Sequence, residues 1–190
     1  MRLFVAAEIP DEVRERLADC QKRLRDLPLP LRWTRPEGIH VTFFFLGETP
    51  ETRVTAVVDA IAPVAAGAAS FRLEALGVHT FPGHGRPRVL VFGLRGDLET
   101  AARLKRGLDG ALQEIGFTPD DRPFRPHLTL ARTREGRAGD WKTPLAREAE
   151  AEGGAFEVHH LVLFESRLGP GGSQYRALQE FPLGQERRTA

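Results

Sequence analysis

The chain is short of the groups that several kinds of chemistry need. It has one cysteine, Cys20, in 190 residues, so an internal disulfide is excluded and no cysteine-based metal cluster can form. It has no His-Glu-x-x-His pattern, and zinc sites ordinarily need three or four protein ligands, so no metal and no cofactor is expected. No glycine-rich phosphate loop follows the first predicted strand. The Gly83-His84-Gly85 and Gly169-Pro170-Gly171-Gly172 stretches lack the strand-to-helix setting such a loop requires. No apolar run is long enough to span a membrane, and the Met1–Ala7 run is too short for a secretion signal. A cytoplasmic protein with no membrane partner is therefore expected. Net charge is also nearly absent: at +1 there is no global basic field to hold long duplex nucleic acid.

Lysine is scarce too. Lys22, Lys105 and Lys142 are the only lysines among 27 basic residues; the rest are arginine. Arginine's planar fork binds phosphate oxygens in pairs, where lysine offers a point charge. A codon bias towards Arg, Ala, Gly and Pro produces the same count, so the count alone is a weak pointer to phosphate. Hydrophobic residues at 41% are enough for a real core, in one domain or two small packed lobes. Only the last residues, 185–190, read as poorly ordered.

Periodicity predicts a mixture of elements. Residues 2–8 read as a buried strand ended by Pro10. Val13, Leu17, Cys20, Leu24 and Leu27 recur at helical spacing before Pro28 and Pro30 stop the helix. Cys20 lies on that apolar face and behaves as a small hydrophobe. Ile39–Leu46 is a strand closed by Gly47, and a helix after Pro50 presents Val54, Val57, Val58, Ile61 and Val64. Phe71, Leu73 and Ala75 alternate as a strand does, residues 81–88 form a loop, and Val89–Leu94 is a further strand. A third helix over Asp97–Ile115 turns Leu98, Ala101, Leu104, Leu108, Leu112 and Ile115 inward, with Gly116 as its C-terminal glycine. His127–Arg132 is a strand, residues 133–153 are polar with one short helix, and Phe156, Val158, His160, Val162 and Phe164 alternate over five positions. A last strand covers Tyr175–Phe181. Alternation on several strands predicts antiparallel sheets with one covered face, so α+β is favoured over doubly wound α/β.

One motif occurs twice. Arg35-Pro36 precedes His40-Val41-Thr42-Phe43, and Arg125-Pro126 precedes His127-Leu128-Thr129-Leu130. Residues two apart on a strand share a face. Each copy therefore presents an imidazole and a hydroxyl together while its apolar pair anchors the strand. The histidines lie 87 positions apart, close to half the chain, which predicts a duplicated lobe with a pseudo-twofold axis. Two imidazoles across a cleft form an acid–base pair near neutral pH. Two threonine hydroxyls can donate to the non-bridging oxygens of a phosphate. The set suits phosphodiester cleavage without a metal, although a single His-x-Thr strand is a weak signal by itself. Of the remaining histidines, His160 reads as a buried core residue with His159 pointing the other way, and His79 and His84 sit in or near a loop.

These residues are familiar as a set. Arg32-Trp33-Thr34-Arg35-Pro36-Glu37-Gly38-Ile39-His40-Val41-Thr42-Phe43-Phe44-Phe45-Leu46-Gly47 resembles the first motif of the bacterial and archaeal 2′-5′ RNA ligase family. That family is also called RNA 2′,3′-cyclic phosphodiesterase, within the two-histidine phosphoesterase superfamily. Arg122-Pro123-Phe124-Arg125-Pro126-His127-Leu128-Thr129-Leu130-Ala131-Arg132 resembles its second motif. The opening Arg2–Ala6 and the closing Ser166–Tyr175 also resemble family signatures, so the likeness runs in order along nearly the whole chain.

The resemblance implies a single bilobal catalytic domain over residues 1–190, with helices outside and a central cleft. It implies hydrolysis of an RNA 2′,3′-cyclic phosphate end to a 2′-phosphate, and reversible ATP-independent 2′-5′ joining. It makes His40 the proton donor and His127 the proton acceptor, with Thr42 and Thr129 on the phosphate oxygens. Arg132 would contact the phosphate or RNA backbone. Phe45 would stack a base, or else fill the core as an aromatic in an apolar strand. Arg125 would touch substrate, or else be a plain surface arginine. A monomer acting on RNA ends is expected. Three rivals remain: cyclic phosphate hydrolysis on a nucleotide or ADP-ribose derivative, an RNA-end-binding module without turnover, and a metal-dependent hydrolase that a chelator would inactivate.

Overall fold

A computed structural model describes residues 1–27, 29–82, 87–133, 141–169 and 172–184. The chain runs β1 (Arg2–Glu8), α1 (Asp11–Arg25), β2 (Leu31–Trp33), β3 (His40–Glu48), α2 (Val54–Gly67), β4 (Phe71–Phe81), β5 (Val89–Gly96) and α3 (Leu98–Glu114). It continues with β6 (His127–Thr133), α4 (Lys142–Arg147), β7 (Glu152–Val158), β8 (His160–Gly169) and β9 (Gly172–Pro182). The predicted C-terminal disorder at 185–190 and His84 lie outside the described residues.

All strands join one curled sheet in the order β7-β4-β5-β6-β3-β1-β8-β9, with β2 alongside β6. Every pairing between these strands is antiparallel. Read outward from the centre, the order is mirrored. β3 and β6 carry the two histidine motifs, β1 and β5 flank them, β8 and β4 come next, and β9 and β7 form the edges. This mirrored order is the pseudo-twofold relation that the repeated motif predicts. The halves meet along a narrow seam, where Val41 opposite Leu128 is the one registered pair between β3 and β6. Further along, β6 pairs with β2 instead.

The helices cover one face. α1 begins with Asp11 and Glu12 and ends with Lys22, Arg23 and Arg25, charges that suit the two ends of its dipole. It buries Val13, Leu17, Cys20 and Leu24. α3 buries Ala101, Leu104, Leu108 and Leu112, and each fully covered leucine contributes about 1.5–3 kcal/mol. The main core lies between these helices and the sheet. A smaller core of Phe4, Ala6, Val162 and Phe164, with Tyr175 packed on it, occupies the opposite, open face. Cys20 is buried as predicted. Its thiol donates to the Glu148 carboxylate at 3.6 Å, and burial pushes its pKa up to about 12. No helix among the described residues is long and apolar enough to cross a membrane.

Three sequence expectations need correction here, and one strand lies outside them. The alternating run from Phe156 to Phe164 is two strands broken at His159; β7 lies at one edge of the sheet and β8 in the other half. Alternation has the same period on both, so a crossover between them leaves no mark. His160 is half-exposed rather than buried, with Glu8 at 3.6 Å. Leu98 is 39% exposed because it stands at the first residue of α3, ahead of the buried stripe. β2, too short for any period to register, was not anticipated.

Candidate active site

Strand parity builds the site. Val41, Phe43, Leu128 and Leu130 go into the helix-side core. His40, Thr42, His127 and Thr129 therefore project to the open face, where all four are half-buried.

Both strands then bulge at the same place. Ala6 pairs with Thr42 and Val5 with Phe44, which leaves Phe43 as an extra residue. Val91 pairs with Thr129 and Leu90 with Ala131, which leaves Leu130 extra. One extra residue inverts the alternation that follows. Phe44 and Ala131 thus stay in the core, and the fifth residue after each histidine turns to the open face. Those residues are Phe45 and Arg132. Phe45 is 61% exposed, which excludes its reading as a core aromatic. Arg132 is exposed, and its charge acts on both imidazoles.

The second bulge is held from the helix layer. The Leu130 carbonyl accepts from the Thr34 amide at 2.9 Å and from the Gln21 side-chain amide at 2.9 Å. Gln21 also donates to the Thr34 carbonyl at 2.8 Å and is 1% exposed. Sequence reasoning missed this residue. The available signal was its place on the apolar stripe of α1, four after Leu17 and three before Leu24.

Each imidazole is tied to a carbonyl two residues upstream. His127 Nδ1 lies 2.8 Å from the Arg125 carbonyl oxygen. A carbonyl only accepts, so Nδ1 carries a hydrogen and Nε2 holds the lone pair. His40 makes the equivalent bond to Gly38. Burial lowers the His40 pKa to about 4, with Arg132 and His127 adding repulsion against the opposing Gly38 bond. Burial and then Arg132 lower His127, opposed by the Arg125 bond. Near pH 7 both imidazoles are neutral beside a fixed guanidinium, an arrangement that favours an arriving anion.

The aromatic surroundings differ. Phe4 stacks under His40 at 4.8 Å between centroids, and Tyr175 meets its ring edge-on at 5.1 Å. His127 meets Phe81 edge-on at 5.1 Å. His79 is a strand residue, not a loop residue: it pairs with Val91, which pairs in turn with Thr129, so it shares the open face. The Arg125 guanidinium is exposed, and the group it brings to the site is its carbonyl. Among the described residues, no group of three or more His, Cys, Asp or Glu is arranged to hold a metal.

Comparison with known proteins agrees with this geometry. The model of the LigT like Phosphoesterase family matches residues 7–91 and 96–175. The chain is 31% identical over 182 residues to the RNA 2′,3′-cyclic phosphodiesterase of Archaeoglobus fulgidus, covering 95% of this chain and 99% of that one. It is 32% identical over 194 residues to the protein of the same name from Thermus thermophilus, covering 96% and 90%. A Geobacillus stearothermophilus protein, again of that name, is 31% identical over 183 residues, but the chain spans 56% of its length. A Thermus thermophilus crystal structure superposes with a TM-score of 0.83 at 30% identity, over 98% of this chain and 100% of the other. Escherichia coli LigT complexed with 3′-AMP shares the fold at a TM-score of 0.78 and 24% identity, over 97% of this chain and 98% of that one. With the paired histidine strands, the mirrored sheet and the family match in agreement, the chain belongs to the LigT-like phosphoesterases.

Proposed function

We propose that residues 1–190 form one catalytic unit, an RNA 2′,3′-cyclic phosphodiesterase acting on RNA ends. The observation that carries the reading is the pair of imidazoles on one open face, each tied through a carbonyl bond and both coupled to Arg132. The printed names of the relatives support the substrate class.

In this reading His127 Nε2 takes a proton from water as the water oxygen attacks phosphorus. The bond from phosphorus to the 3′-oxygen breaks, and His40 delivers a proton to that oxygen. The product is a 2′-phosphate beside a free 3′-hydroxyl. Thr42 and Thr129 donate to the non-bridging oxygens, and Arg132 offsets their charge. The bound anion raises the proton affinity of His40, which supplies the acid that the empty site lacks. A 5′-hydroxyl in place of water gives a 2′-5′ bond through the same steps, and the strained ring removes the need for a nucleotide energy source. Phe45 offers an exposed ring to a base. The groups facing the phosphate are imidazoles, hydroxyls and a guanidinium, so the reading assigns no metal and no cofactor. It places a monomer in the cytoplasm.

The test is a short RNA ending in a 2′,3′-cyclic phosphate, incubated in excess chelator with wild type, His40→Ala and His127→Ala. Wild type should form the 2′-phosphate, with each variant slower by about 10²–10⁴-fold. Full activity in either variant would sink the two-histidine mechanism, and loss of wild-type activity in chelator would sink the metal-free one.

A further inference from the structure

Arg32 and Arg132 stand directly opposite each other on β2 and β6. Opposed residues of an antiparallel pair project to the same face with Cβ atoms about 4.5–5.5 Å apart, and like charges so placed destabilise the pair. The face is fixed by the neighbours of Arg32. Leu31 and Trp33 pack into the helix-side core, with the Arg25 guanidinium 5.6 Å from the Trp33 ring centre. Arg32 therefore points to the open face, beside Arg132. Both are exposed, and among the described residues neither guanidinium has an ion pair or hydrogen bond. Two unneutralised arginines side by side, one of them coupled to both imidazoles, form a site for more negative charge than one phosphate brings.

The placement breaks the symmetry of the cleft. Among the described residues, β2 is the one strand with no counterpart in the mirrored order. Phe45 and Arg132 occupy equivalent positions after the two bulges, so one end of the cleft is aromatic and the other cationic. Arg32 widens the cationic end by one strand, about 4.7–4.9 Å across from Arg132 on the side of β6 opposite β5.

We propose that Arg32, beside Arg132, binds the phosphodiester preceding the terminal cyclic phosphate. The site thereby selects a polynucleotide end over a free cyclic nucleotide. This rests on the cyclic phosphodiesterase reading above.

The experiment compares wild type and Arg32→Gln on an RNA dinucleotide ending in a 2′,3′-cyclic phosphate and on a 2′,3′-cyclic mononucleotide. The ratio of kcat/KM, dinucleotide over mononucleotide, should fall about ten- to hundredfold in the variant, as expected for losing a charged hydrogen bond. Tm should stay unchanged or rise, because a like-charge contact is relieved. An unchanged ratio, equal loss on both substrates, or a Tm lowered by several degrees would overturn the proposal. If wild type turns over neither substrate, the functional reading fails separately. Binding of the dinucleotide carrying a 3′-phosphate then decides. Weaker binding by Arg32→Gln, with the salt slope reduced by about 0.7, sustains the arginine site, and identical binding overturns it.

Discussion

The two histidines occupy the same motif but different surroundings. His40 sits on Phe4 and against Tyr175, and burial takes its pKa to about 4. His127 meets one aromatic edge and is lowered in the same direction. A lowered pKa means the proton leaves at lower pH. The base His127 is thus ready below its ordinary range, while the acid His40 loses its proton early. The kcat/KM profile reports the free enzyme, so both limbs of its bell should lie below about 6.5, the ordinary imidazole value. The kcat profile reports the complex, in which the phosphate anion favours the His40 cation, so its alkaline limb should lie at higher pH. Rates measured from pH 4 to 9 check this. Coincident alkaline limbs, or a kcat/KM limb above 6.5, would contradict the assigned environments.

At the scale of elements, the paired bulges decide which side chains enter the cleft. Regular alternation would send Phe45 and Arg132 to the core face. The extra residues Phe43 and Leu130 send them to the open face instead. The sequence carries a trace of this, since apolar doublets Phe43-Phe44 and Leu130-Ala131 follow each His-x-Thr. A doublet is also what a strand buried on both sides shows, so the bulge was not legible without the partner strand's register. The support for the Leu130 bulge was less legible still, because Gln21 lies 109 positions away in sequence. Replacing Gln21 with Leu leaves the partly buried Thr34 carbonyl without its donor and removes one of two from Leu130. Stability should fall by about 1–3 kcal/mol in urea unfolding. Turnover should fall as well, because Arg132 loses its aim. Unchanged stability would show that the bulge holds itself.

For the whole molecule, charge is balanced at +1, so attraction to RNA is local rather than global. With the reacting phosphate and one neighbour contacted, the logarithm of RNA affinity against the logarithm of salt should have a slope of about −1 to −2. A slope steeper than about −4 would mean a longer basic track than the cleft holds.

The sequence by itself determined the local elements whose periods are strong, the two His-x-Thr strands, and the side of each strand on which imidazole and hydroxyl stand. These follow from chain geometry within a few residues. The tertiary structure alone decided that the strands lie next to each other at a one-pair seam. It also separated β7 from β8 and brought β2 alongside β6, so that Arg32 faces Arg132. Strand pairing joins residues far apart in sequence through backbone hydrogen bonds, which carry no side-chain signature. Register, and with it the composition of the cleft, therefore appears only when the sheet closes.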